Sequence, residues 1–183
     1  FFDGFGKSIT ITTQAELEEL RVQLAVYEGF SGKTIRLGDD IRLNAPWEPI
    51  GTQAVPFKGT FDGGDYTISS LKIDNSQNNQ GFFGHVDGAT VKNLKLTDVT
   101  IKGSANTAAV AGYAVNSTFE NLVVKGEVEG ASNTGGVVGY AEKDCVFRNL
   151  SFEGRVQGSN PAGGIVGQAG NACTFEDISI GGM

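Results

Sequence analysis

One histidine, two cysteines and two tight acidic pairs are the residues whose types and spacing could do chemistry in this chain. A Ser–His–Asp or Cys–His centre needs its imidazole beside a nucleophile and held by a carboxylate. Asp87 is close to His85, and strand alternation puts the two on one side, but no nucleophile accompanies them. His85 is therefore expected to face solvent. Cys145 and Cys173 lie 28 residues apart. Two thiols are too few for a zinc site, and the His-Glu-x-x-His signature is absent. A glycosidase needs two carboxylates at a controlled separation, and a lyase would want calcium-binding carboxylates with a basic residue. The acidic pairs fit turns better: Asp62-Gly63-Gly64-Asp65 reads as a tight turn, and Asp39-Asp40 as the turn of a hairpin between Thr34-Ile35-Arg36-Leu37 and Ile41-Arg42-Leu43. No residue is assigned a catalytic, cofactor-binding or metal-binding role, and no cofactor is expected.

Composition narrows the function classes. The net charge of −7, with lysines and arginines scattered rather than clustered, argues against nucleic acid and anionic membranes as partners. No apolar run approaches the roughly 20 residues that a spanning helix needs, so no membrane insertion by this segment is expected. The 183 residues are one domain's worth, and 39% hydrophobic content in alternating patterns marks a folded chain. The chain opens at Phe1 without Met or a visible signal peptide, and is expected to be a piece of a longer protein.

The elements that must position these residues are set by repetition. Gly81-Phe82-Phe83-Gly84, Ala109-Val110-Ala111-Gly112, Gly136-Val137-Val138-Gly139 and Gly164-Ile165-Val166-Gly167 recur at 27 or 28 residues. Asn93-Leu94, Asn121-Leu122, Asn149-Leu150 and Asp177-Ile178 recur every 28. Around them the pattern alternates as a strand does. Val91, Phe119, Phe147 and Phe175 share one column; Leu94, Leu122, Leu150 and Ile178 a second; Leu96, Val124, Phe152 and Ile180 a third. Lys92, Glu120, Arg148 and Glu176, then Lys95, Val123, Ser151 and Ser179, fall between them and face out. Ile101, Val128 and Val156 mark a second inward strand, and the Gly-x-x-Gly phrase a third. Three strands and three bends per turn of about 28 residues make a parallel β-helix, an all-β solenoid whose coils bury their apolar faces only against one another. A leucine-rich repeat is rejected, because no Leu-x-x-Leu-x-Leu frame is present.

Stacking places Cys145 and Cys173 in one column, which Ala89 and Ser117 hold in earlier coils. Rungs about 4.8 Å apart would allow a disulfide by Cα distance, but parallel side chains keep the Cβ atoms too far apart, so two buried thiols are expected over a bridge. Asn78, Asn106, Asn133 and Asn160 read as a second column. A ladder of amides satisfying one another along the axis is preferred to a ligand-binding ladder, since Asn is also a turn residue.

The first third differs. Thr13-Gln14-Ala15-Glu16 reads as a capping box, Leu17, Leu20, Leu24 and Tyr27 give one apolar stripe, and Gly29 is a stop. A helix over about 13–28 is expected, within a cap at 1–33 that covers the solenoid's N-terminal end, followed by lead-in coils at 34–80. The C-terminal Gly181-Gly182-Met183 interrupts a repeat, so the last coil is expected to be uncapped and open to end-to-end stacking.

Trp47-Glu48-Pro49-Ile50-Gly51, then Phe57-Lys58-Gly59-Thr60-Phe61-Asp62-Gly63-Gly64 and Tyr66-Thr67-Ile68, resemble the lead-in of GLUG-type repeat proteins on bacterial surfaces. These include adhesin-like proteins and the non-catalytic N-terminal parts of immunoglobulin-A-cleaving metalloendopeptidases. The Gly-x-x-Gly phrases followed by Asn-Leu resemble the repeats themselves, so that residues 81–183 read as four GLUG-like repeats, the last incomplete. Ala109 and Ala111 depart from the usual glycines. The resemblance implies a right-handed β-helix, exported to the extracellular space or the bacterial cell surface. Trp47 is expected to pack under the first coil rather than to serve as an exposed sugar platform.

Three functions compete at this stage. The first is a non-catalytic structural or binding module, a rigid adhesin-like stalk whose outward columns meet a host glycan or an extracellular protein. The second is a β-helical polysaccharide lyase or hydrolase. The third is a self-stacking assembly subunit. Ice binding is set aside, since no outward threonine column runs through the repeats.

Overall fold

The structure, a computed structural model, describes residues 2, 4 and 6–182. Phe1 and Met183, named above at the chain ends, lie outside the described residues. The first third carries β1 (Ser8–Ile11), α1 (Gln14–Gln23), β2 (Thr34–Leu37), β3 (Ile41–Arg42), β4 (Thr60–Asp62), β5 (Thr67–Ser69) and β6 (Lys72–Asp74). Longer strands follow: β7 (Phe83–Asp87), β8 (Thr90–Lys102), β9 (Ala111–Val115) and β10 (Thr118–Glu129). The last two coils hold β11 (Thr134–Gly135), β12 (Val138–Lys143), β13 (Val146–Gln157), β14 (Ala162–Gly163), β15 (Val166–Asn171) and β16 (Thr174–Gly181).

Every strand pairing is parallel. The main sheet runs in the order β1-β2-β4-β8-β10-β13-β16, with β3, β5 and β6 joining it beside β8. A second sheet stacks β7, β9, β12 and β15, and a third side is made by β11 and β14, extended by the bridges Gln80↔Thr107 and Thr107↔Thr134. The chain is a parallel β-solenoid whose coils superpose in register. Phe119 pairs with Phe147 and Phe147 with Phe175. Their rings stack at 5.2 Å and 4.8 Å, tilted by only 5° and 7°. Phe119 and Phe147 are wholly buried, whereas Phe175, above which no described strand stacks, is 47% exposed.

The recurring Asn-Leu pair has a backbone cause. Asn93, Asn121, Asn149 and Asp177 all adopt the left-handed conformation, φ 54°, 54°, 52° and 54°, where Asn and Asp are the most tolerant non-glycine residues. Each bends its strand and returns the next leucine or isoleucine to the core. A later bend uses Gly126 and Gly154, φ 150° and 148°, where a Cβ on Gly154 would lie 1.8 Å from the Gly126 carbonyl oxygen. The coil of β8 makes that bend with one residue more: Thr97 and Asp98 stand opposite Lys125 alone. This bulge is why some columns repeat at 27 rather than 28.

Thr13 caps α1: Glu16 N–H donates to the Thr13 hydroxyl, while Glu16 Oε2 accepts from Thr13 N–H. Leu17, Leu20 and Leu24 sit in the core. The helix is shorter than 13–28, ending at Gln23. Gly29, φ 73°, donates to the Leu24 carbonyl, and a Cβ there would meet the Pro56 oxygen at 2.4 Å. The chain must therefore leave the helix early, through a 3-10 turn at Glu28–Phe30 that buries Phe30. The expected hairpin around Asp39-Asp40 does not form. β2 pairs with β1 and β4, and β3 with β5, all parallel. β2 and β3 are successive sides of one coil, so the Asp39-Asp40 turn is a solenoid corner.

Candidate functional site

His85 is buried, 8% exposed, in contrast to the solvent-facing position expected for it. Phe83 and Val86 both point to the core, so the strand departs from strict alternation between them. The chain also leaves the preceding coil between the bridges Ile50↔Phe83 and Phe57↔Val86, which brings segment 51–56 alongside. On the other side the imidazole stacks on Tyr113 at 4.4 Å, and Tyr140 meets Tyr113 edge-on. His85 Nδ1 has no hydrogen-bond partner among the described residues. Burial pushes its pKa below the usual imidazole range, against smaller upward pulls from Asp87 and Glu142. The Tyr113 hydroxyl donates to Glu142, and burial together with that bond raises its pKa. Among the described residues no hydroxyl or thiol nucleophile is hydrogen-bonded to His85, so this pair of tyrosines and a histidine is a packed stack.

The remaining sequence candidates are dispersed. Cys145 is buried and Cys173 half-buried, both as free thiols. Burial drives the Cys145 pKa up to about 12, so at neutral pH it is a thiol, inert as a nucleophile. In the same column Ser117 donates to the Val115 carbonyl and accepts from Ala89 N–H. Asp62 Oδ1 accepts from Gly64 N–H within its turn and from Asn93 Nδ2; Asp40 Oδ1 accepts from Thr67 N–H. These carboxylates staple corners. Trp47 is buried, stacked on Phe82 at 5.1 Å, with Nε1 donating to the Phe82 carbonyl. Among the described residues no group of three His, Cys, Asp or Glu is placed to hold a metal ion.

What the fold does organise is ladders. Arg148 lies between Glu120 and Glu176, 3.4 and 3.3 Å away, and Lys102–Glu129 and Lys125–Glu153 pair across rungs at 3.4 and 2.9 Å. Asn149 Nδ2 donates to Asn121, Asn121 to Asn93, and Asn93 to Asp62. This ladder was not anticipated, although the Asn-Leu repeat carried its signal. The anticipated ladder forms at Asn106 and Asn133 as expected, but its first rung is Asn79 rather than Asn78: Asn133 Nδ2 donates to Asn106 and Asn106 to Asn79, each at 2.8 Å. Asn78 instead accepts from Ala105 N–H. The register Thr134↔Ala162 puts Pro161, not Asn160, in the fourth rung. The Asn79 end opens into a cleft of about 700 Å³ between α1, segment 47–55 and the turn at 75–80.

Residues 130–157 match the family model described as the GLUG motif. The match is confined to this stretch. It is one full coil of the solenoid, from the turn at Gly130 through β11, β12 and β13 to Gln157, so the motif and the structural unit coincide. Residues of the chain are 34% identical over 105 residues to a protein of Evansella cellulosilytica named as a Gly-rich membrane protein, covering 51% of this chain and 12% of that protein. A further 38% identity over 72 residues relates it to halomucin of Haloquadratum walsbyi, covering 38% of this chain and 1% of halomucin. The chain thus spans a small fraction of the length of these relatives. No solved structure matches it. The GLUG match and the β-solenoid fit a surface or structural repeat protein, and they suggest a non-catalytic module. Among the described residues, no helix is long and apolar enough to cross a membrane.

Proposed function

We propose that this chain is a rigid, non-catalytic segment of a large cell-surface or exported protein, acting as an adhesin-like stalk that spaces or presents binding surfaces. One observation carries the reading: seven strands, β1-β2-β4-β8-β10-β13-β16, stack in unbroken parallel order over a continuous core. At about 4.8 Å per rung this is a stiff element about 29 Å long along one face. The names of the relatives, a Gly-rich membrane protein and halomucin, support a surface setting. The outward ladders of paired charges support repeated weak contacts with extracellular partners rather than one catalytic centre.

Two measurements test it. Small-angle scattering of the purified chain is expected to give the cross-section and length of one coil stack, and antibodies against it are expected to label intact producing cells until protease removes the epitope. A flexible chain in solution, or labelling only after lysis, overturns the proposal. Release of reducing or unsaturated sugars from polysaccharides, with or without calcium, would favour the enzymatic alternative.

A further inference from the structure

We propose that the cleft between α1 and the turn at 75–80 is a binding site for an uncharged, hydroxyl-rich oligosaccharide, with Asn79 as its fixed donor. The proposal rests on the extracellular setting above and adds the ligand class and its site. The volume of about 700 Å³ lies within the range of small-ligand sites. Its chemistry is amide and hydroxyl rather than ionic. Arg21, the cation on its wall, is paired with Glu48 at 2.9 Å, which leaves little unbalanced charge to draw a phosphate or a metal ion.

The amides around it are divided between structure and solvent. Asn75 and Gln80 are consumed internally: Asn75 Nδ2 donates to Gln80 Oε1, and Gln80 Nε2 donates to the Asn78 carbonyl. Gln53 and Gln77 are exposed, and their side chains make no hydrogen bond among the described residues. Asn79 is different in kind. Its Oδ1 is fixed by Asn106, which is fixed in turn by Asn133, so three amide dipoles align and reinforce one another. All three point their N–H ends the same way, and the last, Asn79 Nδ2, has no acceptor among the described residues. The fold therefore holds a pre-oriented donor at the cleft without the ordering cost a free side chain would incur on binding.

A sugar hydroxyl or acetamido oxygen accepts from Asn79, while Gln53 and Gln77, each donor and acceptor, suit adjacent hydroxyls. Val22, 59% exposed, and the half-buried Val55 offer apolar surface to a ring's C–H face. A peptide adding as a strand is disfavoured: Asn75, Asn79 and Gln80 N–H groups already donate to the Lys102, Ala105 and Asn106 carbonyls, so no free edge faces the cleft.

The test uses the full chain on an array of neutral and acidic glycans, followed by calorimetric titration with the neutral hits. Asn79→Asp keeps an oxygen for Asn106 and replaces the outward donor with an anionic acceptor, so it is expected to weaken binding of a neutral glycan about tenfold or more with little change in melting temperature. Gln77→Ala, on an exposed side chain, is expected to weaken it several-fold. The proposal is overturned if no neutral glycan binds, if only acidic glycans bind, or if both variants bind like the parent. A stiff particle by scattering with no glycan bound sinks this site and leaves the stalk standing; a flexible particle sinks the stalk itself.

Discussion

Residues 81–180 and residues 8–80 build the same solenoid by different means. In the later coils, strands of 12 or 13 residues such as β8, β10 and β13 carry each turn around its corner, and the Phe119, Leu122 and Val124 columns are filled by apolar residues in every coil. In the earlier coils the strands shrink to two to four residues, and segment 43–59 pairs with β7 through isolated bridges at Ile50 and Phe57 rather than through a strand. There the core is held by aromatic side chains that do not repeat: Trp47 on Phe82, and Phe61 edge-on to Phe82 and Phe83. Repetition distributes stability evenly along the axis, whereas irregularity concentrates it in a few rings and frees backbone to form a cleft.

That contrast can be broken by substitution. Phe147→Ala empties the middle of a three-ring stack and is expected to cost about 3–5 kcal/mol in denaturant unfolding, whereas Phe175→Ala, on the half-exposed rung, costs about 1 kcal/mol or less. Equal losses would mean that rungs do not support one another as the geometry requires. In the early region, Thr13→Ala removes the capping hydroxyl of α1 and is expected to cost about 1 kcal/mol, read by the same unfolding midpoint.

Smaller effects sharpen the picture. His85 is held neutral by burial, so its folded pKa lies below the unfolded value near 6.5. Between those two values the unfolded chain binds more protons than the folded one, and stability falls as the pH drops. The contribution is whole above about pH 6.5 and is lost progressively below it. The difference in unfolding midpoint between parent and His85→Gln is expected to change from pH 7.5 to pH 5; a pH-independent difference would show that the imidazole is solvated. Arg148→Ala, on a side chain 50% exposed between two glutamates, is expected to change stability by no more than about 0.5 kcal/mol, and less at high salt.

Legibility follows the same division. The phenylalanine, leucine and isoleucine columns were readable because a strand's period of two and a coil's period of 28 fall on one set of positions. The glycine phrase and the Asn-Leu pair were readable as markers. The left-handed bend that makes Asn93 and its counterparts necessary was not, because dihedral angles leave no periodic trace of their own. The first rung of the amide ladder falls at Asn79 rather than Asn78, since adjacent asparagines offer two registers and only the strand pairing at Gln80 selects one. The burial of His85 is not legible, because it stacks on Tyr113 where the non-repeating segment 51–56 interrupts the strand pairing. The hairpin failed for a related reason: two short strands around a turn look alike in sequence whether they pair with each other or with the coils above and below.

In-register stacking directs the hydrogen bonds between rungs along the solenoid axis. A pull along that axis therefore loads one rung's bonds before the next, so coils peel away in succession rather than shearing together. Each released turn of about 28 residues would pay out roughly 90 Å of slack. Tethered at a surface, such an element yields stepwise under tension and lengthens several-fold before the attachment itself must bear the full force.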